Sequence, residues 1–255
     1  GLRPTFGRVS RAGAMALSWS MDKLGPICRS VEDCALVFNA IYGPDGRDTT
    51  VAAPFGWQPR ASLHGVRIGM LESAFAETYE NREHDMRTLA VLEQLGAELV
   101  PISLPDYPIQ SMAFILMAEA AAAFDTLTRS NRDDELVRQV EDAWPNRLRA
   151  ARFIPAVEYI QANRLRTLAF QALEAQLRSV DLYVAPSFDE DNLLLTNLTG
   201  HPAVVLPNGF TTAGQPTSIT FTGQLFGEAK LLAATGAYQH ATDFHLRRPP
   251  GFGAK

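Results

Sequence analysis

A few carboxylates, arginines and histidines carry the groups from which this chain could build a reactive or binding site. Asp22, in Ser20-Met21-Asp22, can either organise a loop as a buried carboxylate or serve an ordinary turn or cap. Arg147, Arg149 and Arg152 crowd one short stretch. A guanidinium fork suits a ligand carboxylate, and an arginine-rich helix equally suits a solvated face. Glu190 lies in the acidic run Asp189-Glu190-Asp191-Asn192, which reads as a surface loop unless a ligand claims it. His201 precedes Pro202 and fits either a pocket hydrogen bond or a structural one. His240 and His245 flank Asp243, but not at the four-residue spacing that puts two metal ligands on one helical face. They read as non-catalytic, and no cofactor or metal is expected. The chain has no G-x-S-x-G elbow, phosphate loop or dinucleotide fingerprint.

The elements that must position these groups alternate in type. Ser30-Val31-Glu32-Asp33 is a capping-box-like helix start, with Val31, Ala35, Val37, Phe38 and Ile41 at helical spacing and Gly43-Pro44 as the stop. Val66–Leu71 reads as a buried strand, residues 81–95 as a helix ending at Gly96, and Ala97–Ile102 as a second strand. That order favours an α/β sheet. Residues 109–149 read as helical, with an alanine-rich stretch at 118–123. A further helix is predicted from Pro155 to Val180, with Val157, Ile160, Leu165, Leu168, Ala172, Leu173 and Leu177 as its apolar stripe. Asp181–Ala185, Ala203–Leu206 and Ser218–Thr222 read as strands, and Glu228–Gln239 as the last helix. The four strands starting at Val66, Ala97, Asp181 and Ala203 are expected in one mixed sheet flanked by helices, within a single domain over 1–255.

The opening GLRPTFGRVSR, continued by Ser20-Met21-Asp22-Lys23-Leu24-Gly25-Pro26 and Arg29-Ser30-Val31-Glu32-Asp33, resembles amidase signature enzymes. In that family the block G-L-K-P-T-Y-G-R-V-S-R leads into S-L-D-x-x-G-P-x-x-R-x-V-E-D. Further matches follow in order. Gly65-Val66-Arg67-Ile68-Gly69 resembles G-x-R-I-G, and Leu95–Val100 resembles L-G-A-E-V-V. Arg164-Leu165-Arg166 resembles R-V-R, Asp181–Pro186 resembles D-V-L-L-T-P, and Asn197–Ala203 resembles N-L-A-G-L-P-A. Leu206-Pro207 with Gly209-Phe210 resembles V-P-x-G-F. The resemblance covers nearly the whole chain and implies the amidase signature fold, incomplete because its N-terminal part is absent.

The resemblance also implies an activity: hydrolysis of an amide C–N bond, or transfer of ammonia from an amide. A serine attacks, and a second serine relays protons to a neutral lysine. All three lie upstream of Gly1 in the family, so this chain is expected to hold scaffold and part of a pocket and to be inactive alone. Lys23 falls in the family's variable D-x-x-G-P and reads as a surface or paired residue. By the same resemblance Asp22, Asn197 and His201 belong to the substrate pocket. Arg149, or its neighbours Arg147 and Arg152, falls where glutamine-using members hold the substrate carboxylate, and Glu190 where they hold its amine. Departures occur at the pocket: only Ser187 to Thr196 separate Asp181–Pro186 from Asn197–Ala203, where the family usually has a longer stretch, Thr199 replaces alanine and His201 replaces leucine. A competing reading is a non-catalytic protein, for binding or assembly, that reuses the fold. An unrelated α/β hydrolase is disfavoured by the absent nucleophile motif.

Bulk properties bound the partners. The chain's 255 residues are 46% hydrophobic and 20% charged, with formal net charge −5 and pI near 5.6. This is globular composition without a basic footprint for nucleic acid. No apolar run is long enough to cross a bilayer, so no membrane is expected. The two cysteines, Cys28 and Cys34, read as reduced thiols in a cytoplasmic compartment. The expected partners are a small amide, and either the missing N-terminal segment or a second copy. The chain lacks an initiator methionine and opens inside a loop, as a fragment would.

Overall fold

The computed structural model describes residues 1–248. A mixed sheet lies between two helical layers. In chain order the strands are β1 (Leu2–Arg3), β2 (Arg67–Leu71), β3 (Glu98–Ile102), β4 (Leu182–Pro186), β5 (Ala203–Phe210) and β6 (Pro216–Gly223). Across the sheet they run β1-β5-β6-β4-β2-β3. β2 is parallel to β3 and to β4, while β6 is antiparallel to β4 and β5, and β1 is antiparallel to β5. All four expected strands therefore share one sheet.

The two-residue alternation of a strand divides the core. On β4, Leu182 and Val184 enter one hydrophobic cluster and Tyr183 and Ala185 the other. The first cluster is closed by α1 (Val31–Ile41), α3 (Arg82–Gln94) and α9 (Glu228–His240), through Phe38, Leu92 and Leu232. The second is closed by α4 (Phe114–Ala123), α7 (Ala156–Leu177) and α8 (Glu190–Thr199), through Ile115, Leu173 and Leu195. Short helices α2 (Glu72–Ala76), α5 (Asp125–Arg129) and α6 (Trp144–Ala151) complete the order.

The cap of α1 forms as its sequence dictates. Ser30 Oγ accepts from the Asp33 N–H at 3.0 Å, and the Asp33 carboxylate accepts from the Ser30 N–H at 3.3 Å.

Three expectations fail locally. The helical stretch at 109–149 is broken into a 3₁₀ turn, α4, α5, a second 3₁₀ turn and α6, with Asn131 in the left-handed region (φ 56°) and Pro145 in the first turn of α6. The acidic run read as a loop instead starts α8. Asp189 caps it by accepting from the Asn192 N–H at 3.1 Å, and Gly200 ends it at φ 81°. On α7 the predicted stripe is split. Ala162, Ala169, Leu173 and Leu177 are buried, whereas Val157, Ile160 and Leu168 are exposed. Over the first half of the helix the alanines face inward and let it approach its neighbours closely, and Leu173 and Leu177 take over toward its end.

Candidate functional site

The loop at residues 17–23 is held from three sides. From within, Asp22 Oδ2 accepts the backbone N–H groups of Leu17 at 2.8 Å and Ser18 at 3.0 Å. From α4, Glu119 Oε2 accepts from Ser18 Oγ at 2.5 Å and from the Ser20 N–H at 3.1 Å, while Tyr159 of α7 donates to Glu119 Oε1 at 2.7 Å. Burial opposes ionisation of Glu119, but these hydrogen bonds outweigh it and hold the carboxyl below its usual range. Also from α7, Arg166 donates to Ser20 Oγ at 2.6 Å and Ser20 O at 2.7 Å, and reaches the Leu198 carbonyl at the end of α8. The loop is thus pinned by an acid and a base from two helices, and Asp22 is its internal organiser.

Lys23 projects from this loop toward α8. Its Nζ donates to Met21 O at 3.0 Å and reaches Asn197 O and Oδ1, each at 3.4 Å. Arg3 arrives from β1 and donates to Asn197 Oδ1 at 3.0 Å and to Thr196 Oγ1 at 2.8 Å. Burial first, then the charges of Arg3 and Arg166, lower the pKa of Lys23 to about 7, against the pull of Asp22. The expectation of a surface or ordinarily paired lysine is therefore corrected: Lys23 is part-buried and titrates near neutrality. Only its neighbours in space reveal this, since none adjoins it in sequence except Asp22.

The remaining candidates are dispersed. Asn197 is reached by Lys23, the residue that follows Asp22. His201 is fully buried, its Nδ1 at 2.8 Å from Thr199 Oγ1 and its Nε2 at 2.9 Å from a Glu174 oxygen on α7. Arg149 pairs with Asp133 and Asp134, each at 2.6 Å. Glu190 opens α8, and its side chain lies outside the described residues. Arg152 pairs with Asp125 at the rim of a hollow of about 690 Å³. Trp19, Ser20, Glu119 and Tyr159 line that hollow above an alanine floor. A second hollow of about 470 Å³ is bounded by β1, the loop and α8, with Arg3, Lys23, Asn192 and Thr196 on its wall. Among the described residues no three His, Cys, Asp or Glu side chains gather as a metal site would require.

Comparison with known proteins agrees with this architecture. A profile of the family described as Amidase matches residues 1–195. A glutamyl-tRNA(Gln) amidotransferase subunit from Cupriavidus necator is 32% identical over 314 aligned positions, covering 98% of this chain and 62% of the relative. The corresponding protein of Synechococcus elongatus is 30% identical over 98% of this chain and 61% of its own length. The chain thus spans about three-fifths of the curated relatives it matches. Among solved structures, native peptide amidase from Stenotrophomonas maltophilia superposes with a TM-score of 0.79 at 26% identity, covering 100% of this chain and 60% of that one. The glutamyl-tRNA(Gln) amidotransferase subunit of Thermotoga maritima superposes at 0.69 and 26% identity, over 93% and 56%. Fold, motif order and sequence identity together place this chain in the amidase signature family.

Proposed function

We propose that this chain is part of an enzyme that cleaves an amide C–N bond or passes on the ammonia released, and that it supplies scaffold and one wall of the substrate pocket. The observation that carries the reading is the loop at 17–23. Asp22 organises it, Glu119 and Arg166 fix it, and it delivers Lys23 beside Asn197 at the end of the sheet where the opening strand begins. Holding such a loop costs several buried polar contacts, which suits a site that must keep its geometry during reaction.

By the resemblance, none of the serines or lysines here occupies the family's nucleophile, shuttle or base motif. The 255-residue chain by itself therefore turns over no amide, apart from the small residual rate that binding groups alone provide. Asp22 and Asn197 belong to the pocket wall in this reading, with His201 supporting it from behind through Thr199. A glutamine-like preference would require Arg149 to leave Asp133 and face Glu190, so an amide without the paired amine and carboxylate suits the wall better. Among the described residues no helix is long and apolar enough to cross a membrane. The two thiols, unbonded in this fold, suit a reducing, cytoplasmic setting.

Ammonia release from a panel of simple amides tests this. The 255-residue chain should give none above background, and adding the upstream family segment in trans should restore it. Robust turnover by the chain alone, its mass confirmed, overturns the assignment of the chemistry to another segment.

A further inference from the structure

We propose that the hollow between β1 and α8 is a carboxylate-binding subsite with Arg3 and Lys23 as its two cationic arms, so that the amide taken by this protein carries a free carboxylate. This deepens the amide reading above and rests on it.

The argument starts from uncompensated charge. Arg3 and Lys23 share the wall of the hollow of about 470 Å³. Neither enters any ion pair among the described residues. Their hydrogen bonds go to neutral acceptors: Asn197 Oδ1, Thr196 Oγ1 and the Met21 carbonyl. Two acids nearby, among the described residues, are committed elsewhere. Asp22 accepts two backbone N–H groups of its own loop, and Asp189, on the wall of the hollow, caps α8. Arg3 Nε is buried and has no partner. Two cations withdrawn from water without an anion are unfavourable, and an arriving anion relieves both at once.

Size and surroundings select a carboxylate. Each terminal nitrogen of Arg3 gives one of its two N–H groups to Asn197 or Thr196, which leaves a further N–H on each, beside Nε, and the Lys23 ammonium to meet two oxygens. The rest of the wall is largely carbon, including Leu2, Pro186, Leu193 and Val205, which suits methylenes between carboxylate and amide rather than a fully hydrated phosphate. The groups acting on Lys23 are Arg3 from β1, Arg166 from α7 and Asp22 from its own loop. Because burial first and then these two cations oppose its charge, the ammonium persists mainly below neutrality in the free protein, and binding should strengthen there.

The test is calorimetric binding of succinamate, an amide whose carboxylate is ionised throughout, against butyramide, which puts a methyl in its place. Succinamate should bind at least about tenfold tighter than butyramide at about pH 6, and about tenfold weaker at about pH 8 than at about pH 6, as Lys23 loses its proton. Lys23→Arg, which stays charged, should keep the affinity and flatten the pH profile. Lys23→Met should erase the preference for succinamate, with circular dichroism confirming an unchanged fold. Equal binding of the two amides overturns the proposal. So does an unaltered pH profile in Lys23→Arg, a preference retained in Lys23→Met, or binding of inorganic phosphate but not succinamate. All these readouts are independent of turnover, so failure of the amide reading shows separately, as absence of ammonia release from every amide.

Discussion

At the scale of the residue, folding lowers the pKa of both Lys23 and Glu119, which costs stability at the lysine and adds it at the glutamate. Lys23 titrates near 7 in the folded protein, against about 10.4 for a free lysine side chain. Between those values the unfolded chain holds a proton that the folded chain does not, so stability should rise with pH across that window. Lys23→Met should flatten that rise, as read from urea midpoints at a series of pH values. Glu119 also makes stability rise with pH, but because the fold favours its charged form. Its folded carboxyl is depressed by the hydrogen bonds from Ser18, Ser20 and Tyr159 despite burial. Its contribution is complete above the ordinary glutamate value and lost as pH falls through the lower folded one. Glu119→Gln should cost about 1–3 kcal/mol at neutral pH, because donors aimed at a carboxylate oxygen lose that acceptor. It should also reduce the acid sensitivity of the thermal midpoint. Both residues were silent as motifs. Each lies far in sequence from groups that displace it, Lys23 from Arg166 and Glu119 from Ser18, so no local spacing announces them.

At the scale of the element, the opening segment is tied to α9 and α1 by one buried ion pair. Arg8 and Glu228 are fully buried, with Arg8 Nε 3.4 Å from Glu228 Oε2. The Arg8 guanidinium lies over the rings of Tyr42 at 4.9 Å and Phe38 at 5.4 Å, and it donates to Ala53 O at 2.5 Å. Glu228 Oε1 also accepts the Thr5 N–H at 2.9 Å. Removing one partner strands the other, so Glu228→Gln should destabilise by about 3–5 kcal/mol, measured by chemical denaturation. Gly25 serves the same segment by absence. A Cβ there would run into the Leu2 carbonyl and the Pro4 ring, so Gly25→Ala should cost about 1–3 kcal/mol, measured the same way, and should disturb β1. These positions were legible as motif matches, but their roles were not. The matched Arg8 looks like any surface arginine until the fold closes α9 over it.

At the scale of the whole molecule, the sheet ends in the two-residue β1 on one side and β3 on the other. Beyond the sheet, Phe153, Val157, Ile160 and Leu168, on and just before α7, are exposed together with Ile27 and Phe188. Such unpaired edges and apolar residues promote association. Light scattering over a concentration series should therefore show self-association of the 255-residue chain, and Val157→Glu with Ile160→Glu should reduce it. A monodisperse monomer that binds no hydrophobic dye would refute this.

The chain's own pattern determined most of the layer order. Period-two and helical spacing place β2, β3, β4, β5, α1, α3 and α9, because each segment's face is written into adjacent residues. It also offered Asp22 as a loop organiser or a turn residue, and the bonds this carboxylate makes, from Leu17 and Ser18, are local. The tertiary structure alone decided three things. It turned the acidic run at 189–192 into the start of α8, because the leucines that follow find a core formed by α7 and β4. It chose alanine rather than valine and isoleucine for the inner face of α7, because close packing rewards small residues that a hydrophobicity pattern undervalues. It brought Arg3, Lys23, Arg166 and Asn197 together from positions up to 194 residues apart. Charge proximity in three dimensions sets a pKa, and sequence order does not carry it.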